Sequence, residues 1–257
     1  MLALITGASR GIGESYARQL AARGYALHLV ARDAGRLARL AGDLRTCYGV
    51  AVEEIVLDLA QADAAEQLYV EVRRRRTAPV DLVINNAGFG LYGEFADQPM
   101  PKIQDMLGLH LVTFTKLFRL FLPEMRERRC GAFINVSSVA GLMPLPYLSL
   151  YAATKAFMVS LGDSVGCEAA KYGVVVQTCC PGRTETDFHE TAGVKAYRAP
   201  GGEQTADDVV AESLAALDRG RSLVITGRRN RLLAGLQWIL PRRAVLWAAE
   251  RVLRPST

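Results

Sequence analysis

Short apolar runs alternating with amphipathic stretches predict an α/β fold: a doubly wound, mostly seven-stranded parallel sheet with helices on both faces. Three observations support this. The chain has 257 residues, half of them hydrophobic, enough to bury one large core. Its first apolar run ends in glycine and leads straight into a helical pattern. The strand–helix alternation then repeats along most of the length, and such alternation requires parallel strands joined by right-handed crossovers.

Leu2-Ala3-Leu4-Ile5 reads as the first buried strand, followed by Thr6-Gly7-Ala8-Ser9-Arg10-Gly11-Ile12-Gly13 and an amphipathic helix over 14–23. Glycines between a strand and a helix let backbone approach a phosphate, while the helix N-terminus offers aligned N–H groups to the anion. A glycine motif alone is weak, but the strand before it and the helix after it strengthen it. The second strand, Ala26–Ala31, delivers Arg32. At that position of a dinucleotide fold an acid bonds the adenosine ribose, whereas an arginine receives a 2′-phosphate. Arg32, with Arg10 as a second clamp, therefore predicts NADP(H), and Asp33 is suited to cap the next helix.

Helix 34–47, strand 51–57, helix 61–76 and strand 80–84 follow. Asp58 closes the third strand and Asn85-Asn86-Ala87-Gly88 the fourth, at carboxyl ends where ligands sit in such sheets. Arg73 to Arg76 end a helix and offset its dipole. Strand 132–136 delivers Ser138, helix 149–170 carries Tyr151 and Lys155, and strand 174–179, helix 205–218 and strand 222–226 complete the pattern. Residues 183–203 lack periodicity and read as a mobile substrate lid.

Tyr151 and Lys155 stand four apart, so on a helix they share a face. A phenol titrates near ~10, and a cation beside it favours the phenolate; a shift of about three units takes roughly 4 kcal/mol of differential interaction. Ser138, at a strand end, is placed to donate a hydrogen bond to a substrate oxygen that Tyr151 also touches. These three residue types suit proton transfer at a carbonyl or carbinol. On the Tyr-x-x-x-Lys spacing alone, an ordinary helix with a half-buried Tyr and an exposed Lys is the better reading.

Thr6-Gly7-x-x-x-Gly11-x-Gly13, Asp58, Asn85-Asn86-Ala87-Gly88, Ser138, Tyr151-x-x-x-Lys155 and Pro181-Gly182-x-x-x-Thr186 occur in one order and spacing. In these the sequence resembles the short-chain dehydrogenase/reductase family, from residue 2 to about 190. The resemblance implies a Rossmann-type fold. It places Gly7, Arg10, Gly11 and Ile12 along the cofactor pyrophosphate and ribose, and Asp58 and Leu59 at the adenine. Asn85, Ala87 and Gly88 would lie along the cofactor and stabilise the central sheet, and Pro181, Gly182 and Thr186 would border the nicotinamide. Tyr151 would be the general acid/base, Lys155 would lower its pKa and hold the nicotinamide ribose, and Ser138 would orient the substrate carbonyl. The family also implies a homodimer or homotetramer.

One position departs from the family pattern. Where an asparagine usually helps hold a proton-relay water, Leu109-His110-Leu111 places His110. An imidazole that takes over the relay would give a different pH profile near neutrality. A lost relay would leave a dinucleotide-binding sensor or signalling protein with little turnover. The reading adopted is an NADP(H)-dependent reductase, or reversible alcohol dehydrogenase, acting on an apolar ketone or 3-oxoacyl-type carbonyl. Phe89, Leu91, Tyr92, Leu142, Met143, Pro144, Leu145, Tyr147 and Phe188 lie in the segments expected to wall its pocket.

From Arg228 onward there are seven arginines against one acid, Glu250, while the first 227 residues are close to neutral. The net charge of +5 thus belongs to the tail, and no nucleic-acid-binding face is expected. Residues 1–227 are read as the catalytic domain and 228–257 as a basic extension of two amphipathic helices joined at Pro241. Neither helix reaches the ~20 residues that span a bilayer. A cover over the substrate pocket, packing against another subunit, and peripheral contact with an acidic membrane all fit such helices, and packing on the body or a neighbour is the reading adopted. Five cysteines without metal-type spacing, and a start lacking a basic region and cleavage pattern, predict a cytoplasmic protein with spare thiols and no metal.

Overall fold

The computed structural model describes residues 1–186, 188, 192, 202–236 and 239–254. Its centre is a seven-stranded sheet built from β1 (Leu2–Thr6), β2 (Ala26–Ala31), β3 (Val52–Val56), β4 (Leu82–Asn85), β5 (Gly131–Val136), β6 (Val174–Cys180) and β9 (Leu223–Ile225). The order is β3-β2-β1-β4-β5-β6-β9, and every neighbouring pair is parallel. Successive side chains of a strand point to opposite faces. In β1, Ala3 and Ile5 therefore enter one core and Leu2 and Leu4 the other.

The first core is covered by α1 (Gly11–Ala22), α2 (Ala34–Tyr48) and α7 (Ala206–Leu217), through residues such as Leu20, Leu37, Leu44 and Leu214. The second is covered by α3 (Ala64–Arg75), α5 (Phe114–Arg128) and α6 (Ser149–Ala170), through Leu68, Phe118, Phe121 and Met158. The chain winds one way from β1 to β3 and the other way from β4 onward. The loops after β1 and β4 consequently diverge and open a crevice at the strand carboxyl ends.

Some boundaries differ from the sequence reading. Helix α1 starts at Gly11, so the last glycines of the loop form its first turn. The long helix after β4 is α4 (Met100–Leu107) and α5 joined by a π-helical turn, Gly108–Thr113. Such turns insert an extra residue and re-aim side chains, often beside functional sites. The whole stretch Met100–Arg128 is long and apolar enough to cross a bilayer by length and composition. Its Phe114, Leu117, Phe118, Phe121 and Met125 are nevertheless buried in the second core.

Of the segment read as a lid, residues 187, 189–191 and 193–201 lie outside the described residues. Its two ends are pinned together by a short parallel pair, β7 (Arg183–Thr184) with β8 (Glu203–Gln204). The tail folds as α8 (Arg228–Leu236) and α9 (Arg242–Leu253), with Pro241 opening α9. Asn230 of α8 donates to the Thr226 carbonyl at 2.8 Å and anchors this helix to the end of β9.

Candidate active site

A cleft of about 880 Å³ runs along the strand ends and gathers almost every residue singled out in the sequence. Its floor is the turn between β1 and α1. Gly7 takes a left-handed φ of +66°, and a Cβ there would lie 2.9 Å from Ala87 Cα. A Cβ on Gly13 would come within 2.1 Å of the Gly7 carbonyl oxygen, so α1 can pack this close only without one. Asn86 holds the turn, its amide donating to the carbonyls of Thr6 at 3.0 Å and Gly7 at 3.2 Å. The Thr6 hydroxyl answers by accepting from the backbone N–H groups of Asn86 and Ala87.

The resemblance implies that Asn85 lies along the cofactor and stabilises the central sheet; the structure fits the second role, while the cleft is lined by Asn86 and not by Asn85. Asn85 belongs to β4 with its side chain turned into the sheet, where it donates to Asn135 Oδ1 at 3.1 Å. Period-two alternation then sends Asn86 to the glycine turn, and Asn86, Ala87 and Gly88 line the cleft.

At one end of the cleft, Arg10, Arg32 and Arg36 converge near Asp58 and Leu59. Arg32 Nη1 lies 3.8 Å from Asp58 Oδ2, a long and solvent-exposed ion pair. Asp33 caps α2 by accepting from Arg36 N–H at 2.9 Å and so is committed to the helix. Arg36 was missed in the sequence, where it looks like any solvent-facing helix residue; only its place one turn inside α2 brings it to this end.

Ser138, Tyr151 and Lys155 line the cleft together with Pro181, Gly182 and Thr186, and the Pro181 carbonyl accepts from Val139 N–H at 3.0 Å. Ser138 leaves β5 and caps a short helical turn, Val139–Leu142, accepting from Ala140 N–H at 3.1 Å. Helix α6 presents Tyr151 and Lys155 on one face, and the Lys155 ammonium lies 5.7 Å from the Tyr151 ring centroid. That ammonium is buried and donates to the Val136 carbonyl at 2.8 Å. Burial pulls its pKa down from 10.5 to about 8. Gly141 lets this layer close, because a Cβ there would strike the Lys155 carbonyl at 2.7 Å. Cys179 and Cys180 lie near by, but burial pushes both thiols up to about 12, so they are inert packing groups.

His110 is buried in the π-helical turn, and both its ring nitrogens are engaged. Nε2 accepts from Phe89 N–H at 3.2 Å, while Nδ1 lies 2.9 Å from Thr154 Oγ1. Because the Thr154 hydroxyl donates to the Tyr151 carbonyl at 2.8 Å, consistent bonding puts the proton on Nδ1. Burial, and then the Lys155 charge, hold the imidazole well below its ordinary pKa. His110 is therefore neutral at neutral pH, which revises the expected pH signature. Its nitrogens tie the Gly88–Phe89 turn to α6 and are not left for a relay water.

Apolar groups surround Tyr151. Phe89, Leu91, Tyr92, Leu145, Tyr147 and Phe188 form one cluster with Met106, Leu148 and Leu253. The Phe188 ring centroid is 5.5 Å from that of Tyr151. Leu142, Met143 and Pro144, expected on the same wall, are absent from both this cluster and the cleft lining. Leu253, in the tail for which a cover over the pocket is one of the open readings, reaches it from the far end of the chain: its carbonyl accepts from Tyr92 Oη at 2.5 Å.

A family model described as short chain dehydrogenase matches residues 1–195. Very-long-chain 3-oxoacyl-CoA reductase from Anas platyrhynchos is 36% identical over 184 residues, 70% of this chain and 58% of that protein, so the chain spans just under three fifths of that relative's length. 7beta-hydroxysteroid dehydrogenase from Collinsella aerofaciens is 31% identical over 237 residues, 89% of this chain and 86% of that protein. Among solved structures, a short-chain dehydrogenase from Sphingobium yanoikuyae in complex with NADPH superposes with a TM-score of 0.83 at 34% identity, covering 92% of this chain and 93% of that one. The parallel sheet, the glycine turn and these matches lead to one assignment: the chain belongs to the short-chain dehydrogenase family.

Proposed function

We propose that this protein is an NADP(H)-dependent oxidoreductase that interconverts an apolar ketone or 3-oxoacyl-type carbonyl and the corresponding secondary alcohol. The observation that carries this reading is the meeting of Ser138, Tyr151 and a buried Lys155 in the cleft whose floor is the glycine turn. The turn suits a dinucleotide: its glycines leave open the space that Cβ atoms would fill, and the N-terminus of α1 points its N–H groups at a pyrophosphate. Gly7, Arg10, Gly11 and Ile12 would hold that pyrophosphate, Asp58 and Leu59 the adenine, and Arg32 the 2′-phosphate, with Arg36 beside it. Ala87 and Gly88, and across the cleft Pro181, Gly182 and Thr186, would border the nicotinamide.

When bound, the nicotinamide supplies the hydride. The chain's own residues manage the proton. Tyr151 would give its phenolic proton to the carbonyl oxygen during reduction and take it back during oxidation. The Lys155 ammonium stabilises the phenolate left behind, and a positive charge at this distance acts strongly because the site is buried. Ser138 would donate to the same substrate oxygen and fix its position. The aromatic and aliphatic wall around Tyr151 favours an apolar substrate body and excludes water from the reacting centre. Residues 1–227 would form this catalytic body, working as a dimer or tetramer.

Names of relatives point the same way: a 3-oxoacyl-CoA reductase, a hydroxysteroid dehydrogenase and, in a solved structure from Comamonas testosteroni, a bulky-bulky ketone specific alcohol dehydrogenase. The test is steady oxidation of NADPH with a panel of bulky ketones, steroid ketones and 3-oxoacyl thioesters. Turnover of an apolar member is expected. Tight NADPH binding with no turnover across the panel would overturn the enzyme reading in favour of a dinucleotide sensor.

A further inference from the structure

Helix α8 has two unlike faces. Asn230 and Ala234 are buried against the body, whereas Leu232 and Leu236, two positions on, stand roughly 200° away around the helix. Leu232 is 74% exposed, and the apolar strip continues past the helix end to Ile239, 81% exposed, and to Leu240. Helix α9 aligns Arg243, Trp247 and Arg251 at four-residue spacing, with Trp247 59% exposed and the Arg251 guanidinium 4.2 Å above its ring. Among the described residues, Arg228, Arg229, Arg242 and Arg243 make no ion pair. Glu250, the tail's lone acid, is already engaged by Arg254 at 2.6 Å and by Tyr147 at 3.2 Å.

We propose that α8 and α9 form a docking surface for a lipid bilayer carrying anionic headgroups. Nine and twelve residues are too few to span a bilayer, and the strip of exposed leucine, isoleucine and tryptophan bordered by arginine has the composition of helices that lie in the interface. The charge favours lipid over a second copy of the chain. A two-fold contact would set this arginine-rich face against itself, with no uncommitted acid in either tail to answer it.

The position of this surface gives it a consequence. The last turn of α9 is seated on the apolar wall of the cleft through the Leu253 carbonyl on Tyr92 and through Glu250 on Tyr147. Docking would bring the substrate end of the cleft beside the bilayer, where apolar carbonyl compounds partition. That consequence rests on the function proposed above; binding to lipid does not.

The test is co-sedimentation of the full chain with vesicles of phosphatidylcholine alone, and of phosphatidylcholine mixed with phosphatidylglycerol. Binding only to the mixed vesicles, weakened by salt, is expected. Neutralising each unpaired arginine should cost about fivefold, so R228Q/R229Q/R242Q/R243Q should lose a hundredfold or more. L232S/I239S should lose about tenfold or more while keeping the wild-type melting temperature, because both side chains are exposed. Absence of vesicle binding by the wild type would overturn the proposal. So would sedimentation velocity showing self-association that L232S/I239S abolishes without any lipid effect, which would assign the face to a second copy. NADPH oxidation measured without vesicles reports separately on the catalytic reading.

Discussion

Lys155 is charged in an environment that disfavours charge, and replacing it should expose a conflict between stability and chemistry. Its side chain is only 3% exposed, and its ammonium has the Val136 carbonyl as its close partner, with the Met158 sulfur at 3.6 Å. The folded pKa, about 8 against 10.5 for an exposed lysine, means that the charged form is disfavoured by about 3 kcal/mol in the folded state. The sign follows from proton counting. Between those two values the unfolded chain holds more protons than the folded one, so stability rises with pH through the window, and the cost is fully present below about 8. Lys155→Met keeps most of the volume and removes the charge. It also leaves the Val136 carbonyl without its donor, a loss of about 1 kcal/mol. The variant should therefore be about 2 kcal/mol more stable than wild type at pH 7, raising Tm by roughly 4–8 °C in a chain of this size. Near pH 10.5 the advantage should have vanished. Tyr16 and Cys179, both held protonated by burial and neither acted on by Lys155, affect both proteins alike. Turnover should be lost at every pH. A variant less stable than wild type by the same amount at pH 7 and pH 10 would refute the burial cost and the argument built on it.

Four further outcomes are expected. Tyr151→Phe should remove turnover while leaving NADPH affinity within about twofold by fluorescence titration, since one hydroxyl is lost and the ring packing stays; retained activity would remove Tyr151 from its role. Arg32→Asp should shift the NADPH/NADH ratio of kcat/KM toward NADH by about tenfold or more, the worth of one charge-assisted hydrogen bond, and an unchanged ratio would mean that other groups read the 2′-phosphate. Gly88→Ala would place a Cβ 2.8 Å from His110 Nε2, and urea melts should show a loss of about 1–3 kcal/mol together with reduced turnover. His110 is held neutral when folded but protonates near pH 6.5 when unfolded, so it contributes to the loss of stability as pH falls below that value; His110→Asn should flatten this acid dependence, and an unaltered pH–stability curve would show that His110 is not held neutral.

Much of the fold is local in origin, and local features can be read from a linear chain. Mostly apolar runs of four to seven residues marked the strands, because a central parallel strand is buried on both faces. The glycine turn, Asp58, Ser138, Tyr151 and Lys155 were equally legible, because together they match one family's motifs in order and spacing. The π-helical turn at Gly108–Thr113 was not, as nothing in a helical periodicity announces one inserted residue.

The residues missed or misplaced share one cause: their roles depend on contacts with parts of the chain far away in sequence. Asn86, not Asn85, reaches the glycine turn because β4 runs through Asn85, one residue past the expected strand end, and turns that side chain into the sheet. His110 stands where the family has a relay asparagine, with a kept and a lost relay both open from sequence; its nitrogens are engaged by Phe89 and Thr154, on two different elements. Leu253 closes on Tyr92 across 161 positions. By itself the sequence determined the layered sheet, the glycine turn and the Ser-Tyr-Lys set, because hydrophobic period and residue chemistry are properties of short segments. Only the tertiary structure decided which asparagine faces the cleft, how His110 is bonded and that the tail reaches the pocket, because each of these depends on which distant surfaces meet when the core closes.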